Sequence, residues 1–237
     1  MQKIALIALL LVIGSAHALA IDGQVLINQS TVTAAGGFPY RITQPGSYKL
    51  SGNLVVPAGK DGIDITTSSV VLDLNGFSIS TSGNGCGISG FCTFRPLGIS
   101  FTGFDTIRNG TVSGFFVGVA GTGRGIIEEI QALGNLVGIS ADNSLARRNN
   151  ASSNILEGFE GRNSSFLENI ANNNVFGFST FSSSVLQNIA NNNADTGFEV
   201  SGGLFGSNTA LGNVTVAVSL SGGAVSQNNN NCGGATC

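Results

Sequence analysis

The sequence predicts an all-β solenoid in which coils of about 20 residues, each made of two or three short parallel strands, stack along one axis. Three observations predict it. Asparagines recur at a fixed step: Asn149, Asn169, Asn188, Asn208 and Asn228 are separated by 20, 19, 20 and 20 residues, and Asn135, Asn154, Asn174, Asn193 and Asn213 keep that step. A small residue follows each of the second set (Gly138, Gly158, Gly177, Gly197, Ala217), and four of these precede an apolar one, Ile139, Phe159, Phe178 or Phe198. Between the marks lie short β-branched runs punctuated by Gly, Asn and Ser, such as GTVSGFFVGV and NVTVAVSLSG, which is the grammar of strands and turns.

Stacking gives the asparagines a role. Equivalent residues of successive coils lie roughly 4.8 Å apart. An Asn side chain carries both an acceptor and a donor, so a column of them can hydrogen-bond along the axis. Asn also tolerates the left-handed backbone of a sharp corner. Phe159, Phe178 and Phe198 are expected to stack inside. The repeated FLENIANNN and VLQNIANNN segments are thus a spacing device.

Taken in order, residues 1–20 (MQKIALIALLLVIGSAHALA) read as a signal peptide: one Lys, an apolar run too short to span a bilayer comfortably, then two A-x-A sites. Residues 21–41 are expected as a strand-rich cap and residues 42–231 as the solenoid. The stretch 81–98 breaks the period and reads as an extruded loop. A tail at 232–237 ends the chain. After a signal peptide, Cys86, Cys92, Cys232 and Cys237 point to disulfides, most simply Cys86–Cys92 and Cys232–Cys237. About eight coils would give a rod of roughly 40 Å.

The stretches LDLNGFSIS and IRNGTVSGF, with the 20-residue step over residues 42–231, resemble the secreted right-handed parallel β-helix repeat proteins of the pectate-lyase-like superfamily. The resemblance implies a right-handed parallel β-helix and an address outside the cytoplasm: secreted, periplasmic or in the cell envelope. It spans lyases, hydrolases, epimerases and adhesins, and so selects no reaction. The paired-Asp and His-containing motifs of those enzymes are not recognisable here. The one histidine, His17, falls in the signal segment.

Charge narrows the function further. A net charge of −3 leaves no basic footprint for nucleic acid or anionic membranes. Twelve of the 23 charged residues fall between Asp105 and Glu168. Arg108, Glu129, Arg148 and Glu168 follow the coil step and are expected in one column of alternating sign, with Glu128 and Arg147 pointing the other way. Two readings follow. The first is an exported protein presenting a repetitive surface that binds glycans or partners, or that serves structurally at the cell surface. The alternative is an acidic-polysaccharide lyase or related enzyme, with Arg148 and Glu129 central, Arg contacting a uronate carboxylate or acting as base, and Glu acting as acid. A polysaccharide is the partner expected, with no membrane insertion after cleavage. No cofactor or metal is implied, calcium being the one a lyase would call for.

Overall fold

The computed structural model describes residues 23–82, 95–227 and 229–233. The chain enters through β1 (Gln24–Ile27) and a short helix α1 (Gln29–Ala34). The first coils comprise β2 (Tyr40–Ile42), β3 (Gly46–Leu50), β4 (Leu54–Val56), β5 (Ile63–Ile65), β6 (Val70–Asp73) and β7 (Ser78–Thr81). Then come β8 (Leu97–Phe101), β9 (Thr106–Ser113), β10 (Val117–Gly121), β11 (Ile126–Leu133), β12 (Val137–Ala141) and β13 (Leu145–Arg147). The last coils hold β14 (Glu157–Arg162), β15 (Ser165–Leu167), β16 (Phe176–Leu186), β17 (Thr196–Gly206), β18 (Val216–Ser221) and β19 (Val225–Ser226).

Every pairing among these strands is parallel, and they wind into a three-sided right-handed β-helix. Face A stacks β2, β5, β8, β10, β12, β14, the first halves of β16 and β17, and β18. Face B stacks β1, β3, β6, β9, β11, β13, β15, the second halves of β16 and β17, and β19, which makes ten coils. Face C begins with β4, β7 and the ends of β9 and β11, then thins to single bridges joining Asn150, Ile170, Ile189, Thr209 and Asn231. Ten coils exceed the eight or so expected, and one of the additional coils arises because β1 already ladders onto β3, within the segment read as a cap. Over β1, α1 buries Val32, and Asn28 caps the helix by accepting from the Ser30 and Thr31 amides.

The core is a set of columns. On face A the inward row runs Ile63, Ile99, Val119, Ile139, Phe159, Phe178 and Phe198, all fully buried. Phe159 and Phe178 stack at 4.7 Å between ring centroids, and Phe178 and Phe198 at 4.8 Å, which is the coil spacing itself. Phe166 packs edge-on against Phe159 and Phe178 from face B. Such pairs add about 0.5–1.5 kcal/mol each beyond area burial.

Each corner pairs a left-handed residue with an inward polar one. Between faces B and C the left-handed positions are Asn109, Glu129, Arg148, Glu168, Gln187 and Ser207. The next residue inward is Asn149, Asn169, Asn188 or Asn208 in four of these coils. The Asn169 Oδ1 accepts the Asn149 amide at 3.0 Å, and Asn188 and Asn208 repeat this one coil on, each at 2.9 or 2.8 Å. The rung after Asn208 is Asn230, whose Oδ1 accepts the Asn208 amide at 2.9 Å. That replaces the Asn228 that an even step selects; Asn228 lies outside the described residues. Asn135, Asn154, Asn174, Asn193 and Asn213 form the same ladder between faces C and A. Between faces A and B the rungs are Ser144, Ser164 and Ser183. The left-handed strain thus falls on the residue before the ladder asparagine, and the asparagine itself caps the neighbouring coil.

Among the cysteines, Cys232 is buried at the last coil. Cys86, Cys92 and Cys237, and with them both expected pairings, lie outside the described residues, as do the signal segment and most of the 81–98 loop. No helix among the described residues is long and apolar enough to cross a membrane.

Candidate functional site: a charged corner and an acidic cavity

The four residues expected in one charged column occupy two. Arg108 pairs in register with Asp73, Glu128 and, one coil further, Arg147, on the flat of face B. Glu129, Arg148 and Glu168 sit on the corner itself, where the matching residue beside Arg108 is Asn109. The bend also overturns the expectation that Glu128 and Arg147 face away. A left-handed residue breaks strand alternation, so adjacent side chains reach the same space.

The result is a compact ion-pair cluster. The Arg147 guanidinium lies 2.6 Å from Glu128 Oε2, and Arg148 bridges Glu128 at 3.3 Å and Glu129 at 3.2 Å. The Glu128 side chain is only 11% exposed, whereas Glu129 is 53% exposed. Arg108 is held by Asp73 at 3.2 Å. Glu168 is exposed and joins no ion pair among the described residues. Both arginines of the lyase reading, Arg148 at its centre and Arg108 beside it, are therefore engaged by carboxylates of their own coil stack.

A second cluster lies on face A, with no counterpart in the sequence reading. It originates in Gly158. A Cβ there would lie 2.8 Å from the Ala151 carbonyl, the Asn174 side-chain amide and the Gly177 carbonyl, so the residue must be glycine and must face inward. Phe159 also faces inward, in the core. Two successive inward residues break strand alternation without any slip of register, Glu157 pairing with Phe176 and Phe159 with Phe178, so Glu157 and Glu160 both lie outside the core. The same constraint explains Gly138, Gly177 and Gly197, whose absent Cβ atoms make room for Asn154, Asn193 and Asn213.

Register then assembles the site. Ser140, Glu160, Ser179 and Glu199 form one outer row, and Arg162, Phe181 and Ser201 the next. Asp142, just after β12, accepts the Arg162 backbone amide at 2.8 Å. Together these residues line a cavity of about 440 Å³. Phe181 is 54% exposed at its edge.

The electrostatics are lopsided. Burial, then the negative charge of Glu160, a hydrogen bond shared with it, and Glu199 push the Glu157 carboxyl up to about 8. Its Oε2 is buried without a hydrogen-bond partner. Glu157 is consequently protonated at neutral pH. Among the described residues no group of Asp, Glu, His or Cys is arranged to hold a metal ion.

No protein-family model matches the chain, and no curated protein matches its sequence. Solved structures match its shape. The Dettilon tailspike protein (gp208) aligns over 86% of this chain at 14% identity, with a TM-score of 0.51. The chain spans 57% of that protein's length. The A-module of the Azotobacter vinelandii mannuronan C-5 epimerase AlgE4 aligns over 81% of this chain and 67% of its own, at 16% identity and a TM-score of 0.48. At such identities the likeness is one of architecture, and by that architecture this chain is a parallel β-helix.

Proposed function

We propose that this chain is an exported glycan-binding protein whose ligand lies on face A, across β12, β14, β16 and β17. The observation that carries the reading is the cavity itself. It combines carboxylates and serines, which accept and donate to sugar hydroxyls, with an exposed phenyl ring at its rim against which a sugar face can rest. Parallel register extends the polar outer row Ser140, Glu160, Ser179 and Glu199 across four coils, which suits a polymer better than a compact ligand. The signal segment and the disulfides expected from the sequence would fit a place outside the cytoplasm.

A catalytic reading of the same face has one specific observation in its favour. The Glu157 carboxyl, pushed up to about 8 chiefly by burial, keeps at neutral pH the proton a general acid needs, and Glu160 stands beside it. Hydrolysis of a glycosidic bond would use that pair. The lyase reading at Glu129 and Arg148 has less support, because their charges are already matched within the corner cluster.

The test is a glycan-binding screen of mature protein alongside Glu160→Gln and Glu199→Gln. Binding that weakens in both variants supports the face A site. Binding indifferent to both would move the site elsewhere, and release of reducing ends that depends on Glu157 would make the protein a hydrolase.

A further inference from the structure

We infer that the last coil of the solenoid is the contact surface of a two-fold dimer, in which β18 pairs antiparallel with β18 of a second copy of this chain.

The two ends of the rod are finished differently. At the first coil, α1 lies over β1 and buries Val32. At the other end β18 pairs with β17 alone among the described strands, so its outer row of backbone donors and acceptors is open. An open edge pairs readily with another strand, and proteins that keep one free place Lys, Glu or Pro on it. Those residues are missing here. No Asp, Glu, Lys, Arg or Pro occurs from Val200 to Cys237, and all 23 charged residues precede that stretch.

Two further observations, independent of composition, mark a coil that lacks its neighbour. The core columns stop short: Phe198 and Val200 are fully buried, but Val218 and Leu220, their partners in β18, are half-buried. Val214, Val216 and Val225 are exposed beside them. The asparagine ladder between faces C and A stops as well. Asn154, Asn174 and Asn193 each donate a backbone amide to the asparagine of the next coil, whereas nothing among the described residues accepts the Asn213 amide.

A second copy matches this end by symmetry and by charge. Head-to-tail stacking is closed off, because the first coil of the next copy lies under α1. Tail to tail, a two-fold axis normal to face A maps β18 onto itself with its direction reversed, and the two cores become one. An axis through the outward Ser219 sets Val218 of each copy opposite Leu220 of the other, which covers both. The neutral ends also let two acidic chains approach. Glu199, the last charge along the chain, pairs with Ser219, so it stands three strand spacings from its counterpart, about 14 Å at the backbone, against a screening length of roughly 8 Å at physiological salt. With one end capped and one open, association closes at two chains. The contact does not depend on the glycan reading.

Size exclusion with light scattering, run on mature protein across a range of loading concentrations, tests this. The mass of two chains is expected, falling to one on dilution. Ser219→Lys brings like charges together at the axis without entering the core, and should raise the dissociation constant about tenfold or more while the β-sheet circular dichroism is kept. Val55→Lys, at an exposed site of β4 toward the capped end, should leave the dimer intact. Hydrogen exchange reads the contact without any substitution: β18 amides should be protected in the dimer and exchange faster on dilution. A single-chain mass at every concentration would overturn the proposal, as would a series of larger species. A dimer that persists in Ser219→Lys, one lost equally in Val55→Lys, or β18 exchange indifferent to dilution would overturn it too, by moving the contact elsewhere.

Discussion

Glu157 and Glu160 stand on the same outer face of β14, three positions apart, because Gly158 and Phe159 both turn inward between them. Strict alternation would have placed one of the two in the core. Instead both stand outside the core, and partial burial together with the charges of Glu160 and Glu199 pushes the Glu157 carboxyl up to about 8.

Stability should therefore depend on pH in a direction set by Glu157. Its folded-state affinity for a proton exceeds the unfolded value, so the folded state binds more protons between about pH 4.5 and 8 and loses stability as pH rises through that window. Glu157→Gln should melt with the wild type near pH 4.5 and about 2–5 °C above it at pH 8. Thermal melts at four pH values across this range decide it, and parallel curves would contradict the assignment.

Removing one ladder rung should be costly. Asn169 is fully buried; its oxygen accepts the Asn149 amide, and its own amide donates to the Ala146 carbonyl at 2.8 Å. Asn169→Ala leaves those backbone groups unpaired and should destabilise by about 2–4 kcal/mol, read from urea unfolding.

Glycine positions divide by what surrounds them. Gly158→Ala forces a Cβ to within 2.8 Å of two backbone carbonyls and a ladder amide, and should cost about 1–3 kcal/mol. At Gly52 the nearest atom is 3.8 Å away, and Gly52→Ala should change stability by less than about 0.5 kcal/mol. Denaturation midpoints of the two variants provide the comparison.

At the charged corner, burial should set the order of effects. Arg147→Ala strips the shortest contact from Glu128, whose side chain is nearly buried, and should cost about 1–3 kcal/mol. Glu129→Gln, at an exposed carboxylate, should cost less than about 0.5 kcal/mol. A lyase assay following unsaturated uronate products from pectate and alginate, with and without calcium, should give a flat trace for the wild type. A rate abolished by Glu129→Gln would restore the corner as a catalytic site.

The coil step was legible because it is enforced by contacts that repeat: Asn149, Asn169, Asn188 and Asn208 must meet one another, and Phe159, Phe178 and Phe198 must stack. Counting residues recovers both columns. It fails at the final rung, where two extra residues place Asn230 rather than Asn228 under Asn208. The charged column was misassembled for a different reason. Arg108 and Glu129 differ by 21 residues and look equivalent, but a left-handed corner separates the flat of face B from the bend, and that one-residue offset decides which side chains touch. Glu157, Glu160 and Glu199 escaped notice because none of them repeats at every coil. The available signal was Gly158 followed by Phe159: a glycine demanded by the ladder, then a core residue, hence a break in alternation with the flanking residues outside.

The ladders also have a direction. In each, the oxygen of a later coil accepts the amide of the coil before it, from Asn149 capping Ile130 to Asn230 capping Asn208. No coil is complete until its successor has arrived. A chain emerging from a ribosome or a translocation pore would thus carry one unfinished turn at its growing end, and every turn behind it would already be sealed. Assembly in that order needs no search among distant segments, so the length of the rod need not slow it.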